Sequence, residues 1–241
     1  MATLFVSDLH LTTERPASGQ AFLDLLESDQ ARQAEALYIL GDLFEIWLGD
    51  DAVVDEYRSY IEALKRLSES GVPLYFIQGN RDFLTKSGFE AMTGARILDH
   101  HTVIDLYGIP TLLMHGDLLC TDDVDYLKFR DMILSRQWQD EFLSKSVNER
   151  VEYGRMLREK SREAMQGKQE MIMDVNQQAV EDTMREFGVT HLIHGHTHRP
   201  AVHHFELDGK TVTRTVLPDW YEQGGVLRCD ETGCEFQPVP S

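Results

Sequence analysis

Along the first half of the chain, short apolar runs alternate with segments whose apolar residues recur at helical spacing. Thr3–Ser7, Leu37–Leu40, Pro73–Ile77 and Thr111–Met114 read as strands, with helices over Gly19–Gln30 and Val54–Leu67. That alternation predicts an α/β fold built of βαβ units, with helices covering the sheet faces. The tail changes character. From Ala201 to Phe236 the pattern is strands and turns, including His203–Leu207, Thr211–Leu217 and a hairpin around the Asp-Glu-Thr-Gly turn between Cys229 and Cys234.

The core strands share one feature, a polar motif at the carboxyl end of each. Thr3–Ser7 runs into Asp8-Leu9-His10, Leu37–Leu40 into Gly41-Asp42, and Pro73–Ile77 into Gly79-Asn80-Arg81-Asp82. Thr111–Met114 leads to His115-Gly116-Asp117, and a late strand, His191–Ile193, opens into His194-Gly195-His196-Thr197-His198. The carboxyl edge of the strands is where open α/β sheets place their ligands. Asp8 and His10 are two apart, so extended chain would put both on one side, and His196 and His198 repeat the spacing. Gly41 and Gly79 precede their ligands, where the lack of a side chain permits close backbone approach.

Imidazoles, carboxylates and an amide oxygen without thiolates suit Mn, Zn, Fe or Co better than calcium. Asp8, His10, Asp42, Asn80, His115, His196 and His198 are too many donors for one ion. Two ions about 3.5–4 Å apart, bridged by one carboxylate, would use them all and would activate water for hydrolysis at phosphorus. His194 reads as a partner that orients a ligand. His100, His101, His191, His203 and His204 carry no pattern.

Charge narrows the ligand. Against 41 Asp+Glu stand 23 Lys+Arg, a net −18, which argues against nucleic acid and requires a local exception for any anionic substrate. The three cysteines, Cys120, Cys229 and Cys234, make no obvious disulfide framework and are expected to be reduced thiols. The N-terminus meets Asp8 too early for a signal peptide, and Asp42 and Glu45 break the apolar stretch before it could span a bilayer.

The ordered set Asp-x-His, Gly-Asp, Gly-Asn-x-Asp, His and Gly-His-x-His resembles the calcineurin-like metallophosphoesterases. Its variants here include Ser7-Asp8-Leu9-His10-Leu11, Gly79-Asn80-Arg81-Asp82-Phe83-Leu84, Leu119-Cys120-Thr121-Asp122-Asp123 and His194-Gly195-His196-Thr197-His198-Arg199-Pro200. These are similar to the branch of that family that hydrolyses UDP-2,3-diacylglucosamine to UMP and 2,3-diacylglucosamine 1-phosphate in lipid A biosynthesis. The resemblance implies a single domain over 1–241, a two-sheet β-sandwich flanked by helices with an inserted helical lid. It implies Asp8, His10 and His198 on one ion, Asn80, His115 and His196 on the other, Asp42 as the bridge, and Mn2+ as the metal. It further implies catalytic roles for Arg81, Asp42 and His115, and substrate contacts from Asn80, Arg81, Asp123, Ser161, Met165, Lys168 and His196. A peripheral place on the cytoplasmic face of the inner membrane belongs to the same inference. Met165 and Pro218 depart from the residues usual at their positions.

Arg81 stands where the wider family commonly has a His that acts as leaving-group acid. An arginine holds its proton at working pH. A phosphate leaving group, with a second pKa of about 6, needs none, so Arg81 favours a pyrophosphate. The alternative is a structural Arg81 paired with Asp82.

Ligands on successive strands lie 34, 38 and 35 residues apart, but His115 and His196 are 81 apart. That excess predicts inserted helices over roughly 122–170. Lys145–Lys168 holds seven basic and four acidic residues, a positive island that reads as a solvated helix face or as a lid supplying substrate contacts. Its apolar residues, Trp138, Phe142, Leu143, Val147, Tyr153, Met156 and Leu157, read as core or as an acyl pocket. Two rival functions remain. One is a dinucleoside polyphosphate or other nucleotide pyrophosphate hydrolase, which the lid argues against. The other is a phosphatase-fold binding scaffold, which the full set of seven ligands argues against.

Overall fold

The computed structural model describes residues 1–166, 174–221 and 224–239, and over 160–166 it describes the helical backbone without side chains. The first half alternates β1 (Thr3–Val6), α1 (Pro16–Glu27), the single turn α2 (Asp29–Arg32), β2 (Ala36–Ile39), α3 (Arg58–Glu69), β3 (Leu74–Phe76), α4 (Ser87–Thr93) and β4 (Arg96–Ile97). An antiparallel pair comes next, β5 (Thr102–Leu106) and β6 (Ile109–Leu113), then α5 (Val124–Leu134), α6 (Arg136–Leu143) and α7 (Val147–Gln166). The chain continues through α8 (Gln177–Phe187), β7 (His191–His194), β8 (Ala201–Leu207), β9 (Lys210–Val216), β10 (Gly225–Asp230) and β11 (Gly233–Pro238).

Two sheets result, in strand orders β11-β10-β1-β2-β3-β4 and β5-β6-β7-β9-β8. β1, β2, β3 and β4 run parallel, as do β6, β7 and β9. β1 is buried throughout because both its faces are covered. Leu4 and Val6 pack with Phe22, Leu25, Leu64 and Phe89 of the helices, while Phe5 packs with Leu113 and Ile193 of the second sheet. The outer face of that sheet, through Leu112, Leu192 and Val212, packs on Val180 and Met184 of α8. The sandwich therefore has four layers, helix, sheet, sheet and helix.

Local chemistry sets the element bounds. Pro16 starts α1 three residues before the expected Gly19, since its fixed φ suits the first helical position. Ser28 then interrupts the helix by accepting from the Ala31 amide, which starts α2. In α3, Ile61, Leu64 and Leu67 line the buried face at helical spacing. α8 opens on Asn176, whose side chain accepts from the Gln178 and Ala179 amides, and closes at Gly188 with φ of +64°. The short α4, β4 and edge strand β5 carry too little periodicity to be read in advance.

The expectation of reduced thiols at the tail is overturned. Cys229 and Cys234 are joined as a disulfide across the β10–β11 hairpin. They sit directly opposite in its register, with Cα atoms 4.0 Å apart, so the hairpin itself brings the two sulfurs together. Cys120 is buried elsewhere and takes no part. Among the described residues no helix is long and apolar enough to cross a membrane.

Candidate metal centre

The seven predicted donors lie on loops at the carboxyl ends of β1, β2, β3, β6 and β7, where the two sheets meet. Backbone hydrogen bonds stitch these loops together: Asp8 N to Gly41 O at 3.1 Å, His10 N to Asp42 O at 2.9 Å, and Gly195 N to His115 O at 2.8 Å. The chain here is not extended as the two-residue spacing suggested. Asp8, His10, Asp42, His196 and His198 all hold positive φ, between 47° and 69°. Asp and His tolerate this left-handed region better than most residues, yet each such position costs on the order of 1–3 kcal/mol. Five of them at one point mark a site where donor placement overrides backbone preference.

The donors converge on two points. Around the first, His10 Nε2 lies 3.3 Å from His198 Nε2, 3.9 Å from Asp8 Oδ1 and 3.7 Å from Asp42 Oδ2. Around the second, His115 Nε2 lies 3.0 Å from Asn80 Oδ1, 3.2 Å from His196 Nδ1 and 3.7 Å from Asp42 Oδ1. Asp42 thus offers one oxygen to each. Donor atoms about 2.1 Å from a common ion stand roughly 3.0–3.4 Å apart at tetrahedral or octahedral angles. The His–His and His–Asn spacings match this, while the carboxylate oxygens at 3.7–3.9 Å would close in by a few tenths of an ångström around two cations. The chemistry fits as well, since facing imidazole nitrogens repel unless a proton or cation lies between them. Asp8 Oδ1 is buried and, though 3.3 Å from His198 Nε2, is misaligned for a hydrogen bond.

Electrostatics in the protein alone reflect this crowding. Burial pushes the Asp42 carboxyl up to about 7, with Asp82 and Asp8 adding to the rise and His115 opposing it. Asp8 is held well below the usual carboxylate range, because His198, His115 and His10 together outweigh its burial. His115 rises to about 9 against its own burial, through Asp42, Asp8 and Asp117. Burial lowers His196 to about 4.

Asp82 is part of the scaffold. Its carboxylate accepts from the amides of Gly79 at 2.9 Å, Asp42 at 3.3 Å and Leu43 at 2.7 Å. It is therefore spent on backbone, which removes the reading of Arg81 as its ion-pair partner. Gly79 is required by space, because a Cβ there would stand 2.2 Å from Asp42 Oδ1. Gly79→Ala is expected to displace Asp42 and abolish metal binding in calorimetric titration while the far-UV circular dichroism stays native; unchanged binding would contradict this packing. His194 orients no donor side chain directly. It is buried on the outer face of its sheet, where Nδ1–H donates to Gly195 O at 2.8 Å and Nε2 accepts from Arg214 at 3.2 Å.

Arg81 is anchored through its backbone, with its amide donating to Asp42 Oδ1 at 2.8 Å and its carbonyl accepting from Trp47. Its Nε is buried without a hydrogen-bond partner. Asp123 caps α5, accepting from the Tyr126 amide at 3.1 Å. The side chains of Ser161 and Met165, on α7, and all of Lys168 lie outside the described residues.

Helices α5, α6 and α7 occupy 124–166 and pack on the loop after β2. Ile133 and Phe142 join the main core, and Trp138 stacks on Phe142 at 4.8 Å. Arg150 donates to Leu48 O at 2.7 Å and to Asp51. Of the apolar residues expected as core or acyl pocket, Trp138, Phe142, Leu143 and Tyr153 pack against the core, whereas Val147 and Met156 are exposed.

Four residues near the donors carried no reading of their own. Asp117 is buried against Arg130 and accepts from the Tyr126 hydroxyl at 3.1 Å. Asp219 Oδ2 faces His198 Nδ1 at 3.8 Å, Tyr221 stacks on His10 at 5.2 Å, and Glu45 Oε2 faces His10 Nδ1 at 3.8 Å. Asp117 lies inside the His115-Gly116-Asp117 motif, so its position offered a signal; Asp219, Glu45 and Tyr221 meet the donors only through the fold.

Known proteins resemble this chain along nearly its whole length. The family model for calcineurin-like phosphoesterases matches residues 1–200. A protein of Photobacterium profundum named UDP-2,3-diacylglucosamine hydrolase is 47% identical over 98% of this chain and 96% of its own. Proteins of the same name from Chromohalobacter salexigens and Xanthomonas campestris pv. campestris are 51% and 49% identical, covering 91% and 99% of this chain and 89% and 99% of theirs. A solved structure described as a novel archaeal phosphodiesterase shares the fold, with a TM-score of 0.50 at 12% identity over 99% of both chains.

Proposed function

The chain belongs to the calcineurin-like phosphoesterase family, and on that premise we propose that it hydrolyses UDP-2,3-diacylglucosamine to UMP and 2,3-diacylglucosamine 1-phosphate, a step of lipid A biosynthesis. The observation that carries the substrate is the near full-length match, at 47–51% identity, to relatives named for that hydrolysis. The convergence of seven donors on two points sharing Asp42 supports the reaction class. A pair of divalent cations, Mn2+ in this reading, activates water and neutralises phosphoryl oxygens when bound there.

The chain's own residues divide the remaining work. Water adds its oxygen to the α-phosphorus, the bond to the sugar phosphate breaks, and the sugar 1-phosphate leaves as an anion. Arg81 clamps the pyrophosphate oxygens and balances the charge that develops. Asn80, His115 and His196, which form the second donor group, also set where the phosphate sits. Asp123, Ser161, Met165 and Lys168 contact the glucosamine and its acyl chains from a lid formed by 122–170. A cavity of about 180 Å³ between the loop after β2 and α7 has a mixed wall, with Trp47, Leu48, Val54 and Val151 beside Glu56, Arg155 and Arg158. Val124, Met132, Val147 and Met156 are exposed on the inserted helices, which supports transient seating on the cytoplasmic face of the inner membrane.

In the test, the wild type with Mn2+ releases UMP from the diacylated substrate and leaves a dinucleoside polyphosphate intact, while His10→Ala releases none. Cleavage of the dinucleoside polyphosphate without UMP release from the UDP-lipid would favour the rival hydrolase. Protein that binds no metal would favour the scaffold.

A further inference from the structure

Glu45 is three residues beyond Asp42 and belongs to neither group of donors. Its side chain is only 11% exposed, a setting in which an ionised carboxylate needs partners. Arg15 Nη2 donates to Oε2 at 2.8 Å and to the His10 carbonyl at 2.7 Å. Arg158, on helix α7, approaches Oε1 at 3.3 Å. His10 Nδ1 is buried without a hydrogen-bond partner and faces Oε2 at 3.8 Å.

His10 turns Nε2 toward the first donor group, so its proton belongs on Nδ1. A histidine that holds a metal almost always directs that proton to a carboxylate or a carbonyl, which fixes the ring. His115 does so here, with Nδ1 donating to Leu40 O at 2.8 Å. For His10 the acceptor that faces Nδ1 is Glu45. Tyr221 covers one face of the ring at 9° between planes, with Arg15 over the tyrosine at 4.3 Å. Stacking of that kind restrains tilt but leaves rotation within the ring plane to the in-plane partner.

We propose that Glu45 is a positioning residue that ties His10 to the inserted helix α7. Arg158 holds one carboxylate oxygen. The other, which also accepts from Arg15, takes the His10 Nδ1 proton as the ring closes on a bound cation and so aims the ring. The seating of α7 thereby sets the first donor group's affinity for a divalent cation. The proposal rests on the two-cation reading above. Against it stands a purely structural role, in which Glu45 only neutralises Arg15 and Arg158.

The test is a Mn2+ titration of the metal-free protein without substrate, by calorimetry and by the electron paramagnetic resonance of free Mn2+. The wild type binds two ions. Glu45→Gln weakens one of them about 10–100-fold, the range for loss of a ligand's hydrogen-bond partner. Arg158→Gln weakens the same ion less, and adding it to Glu45→Gln changes nothing further, because the two residues act through one path. Should Glu45→Gln fail to fold, Glu45→Asp, which keeps the charge but shortens the reach, takes its place with the same expectation. A Glu45 variant with both affinities at the wild-type level overturns the positioning role and leaves the two-cation reading intact. An undiminished effect of Arg158→Gln in the Glu45→Gln background overturns the link to α7. A wild type that binds fewer than two ions overturns both.

Discussion

Replacing Asp42 by Asn is expected to cut Mn2+-dependent UMP release about a thousandfold or more, roughly 4 kcal/mol of barrier, while raising the melting temperature of the metal-free protein. The two effects share one cause. Asp42 gives one oxygen to each donor group, 3.7 Å from His10 Nε2 and 3.7 Å from His115 Nε2, and so stands between the two. Without cations that same carboxylate is a liability, buried beside Asp8 and Asp82. An amide keeps the shape and removes the charge.

The pH dependence separates this explanation from a simple packing effect. In the unfolded chain Asp42 ionises near 4, and in the metal-free fold near 7. Between those values the folded state holds a proton that the unfolded chain has released, so this carboxyl's contribution to stability falls as pH rises. The melting-temperature advantage of Asp42→Asn, with both proteins in chelator, should therefore grow from about pH 4 to about pH 7 and level off above. Asp42 is the largest of the charges that raise His115, so the variant gives up that pairing and keeps only Asp8 and Asp117; the gain is what remains after this loss. Saturating Mn2+ should reverse the order, since ligand bound to the folded state stabilises only the protein that holds it. An Asn variant within tenfold of wild-type activity, or one less stable than wild type across the whole range in chelator, would refute this account.

How much was legible in advance depends on how local each signal is. The seven candidate donors stood out because each sits within a few residues of its strand end, in a short motif of fixed residue types. Their backbone geometry was not. Extended chain was the natural assumption for Asp8 and His10, but both sit in the left-handed region with their amides bonded to Gly41 and Asp42, on the loop after β2. Glu45 shows the same limit. Its partners, Arg15 and Arg158, lie far away in sequence on both sides, so nothing around it distinguishes it from a surface carboxylate. Asp82 misled for the opposite reason: its neighbour in sequence suggested an ion pair, whereas the fold turned it onto three backbone amides. The cysteine pair was judged from composition, while the hairpin register that joins it depends on strand pairing.

Arg81→Ala is expected to lower kcat for UDP-2,3-diacylglucosamine about 10²–10³-fold, the loss seen when a charge-stabilising donor is removed from an active site. Metal binding should survive, because the Arg81 amide, and not its side chain, contacts Asp42. The buried Nε without a partner leaves part of the guanidinium fork unspent in the protein alone, available to phosphate oxygens. Lysine carries the same charge without the fork, so Arg81→Lys should recover only part of the rate. Histidine is the sharper substitution. If Arg81 served merely as a substitute proton donor, Arg81→His would restore pyrophosphate hydrolysis, and the rate would fall as pH rose through the imidazole pKa. If it serves as a clamp for a leaving group that departs as an anion, Arg81→His should stay near the Ala variant at pH 8, where a neutral imidazole adds little charge. Steady-state UMP release by the four proteins between pH 6 and pH 9 decides between them, and an Arg81→Ala enzyme within threefold of wild type would remove Arg81 from the reaction altogether.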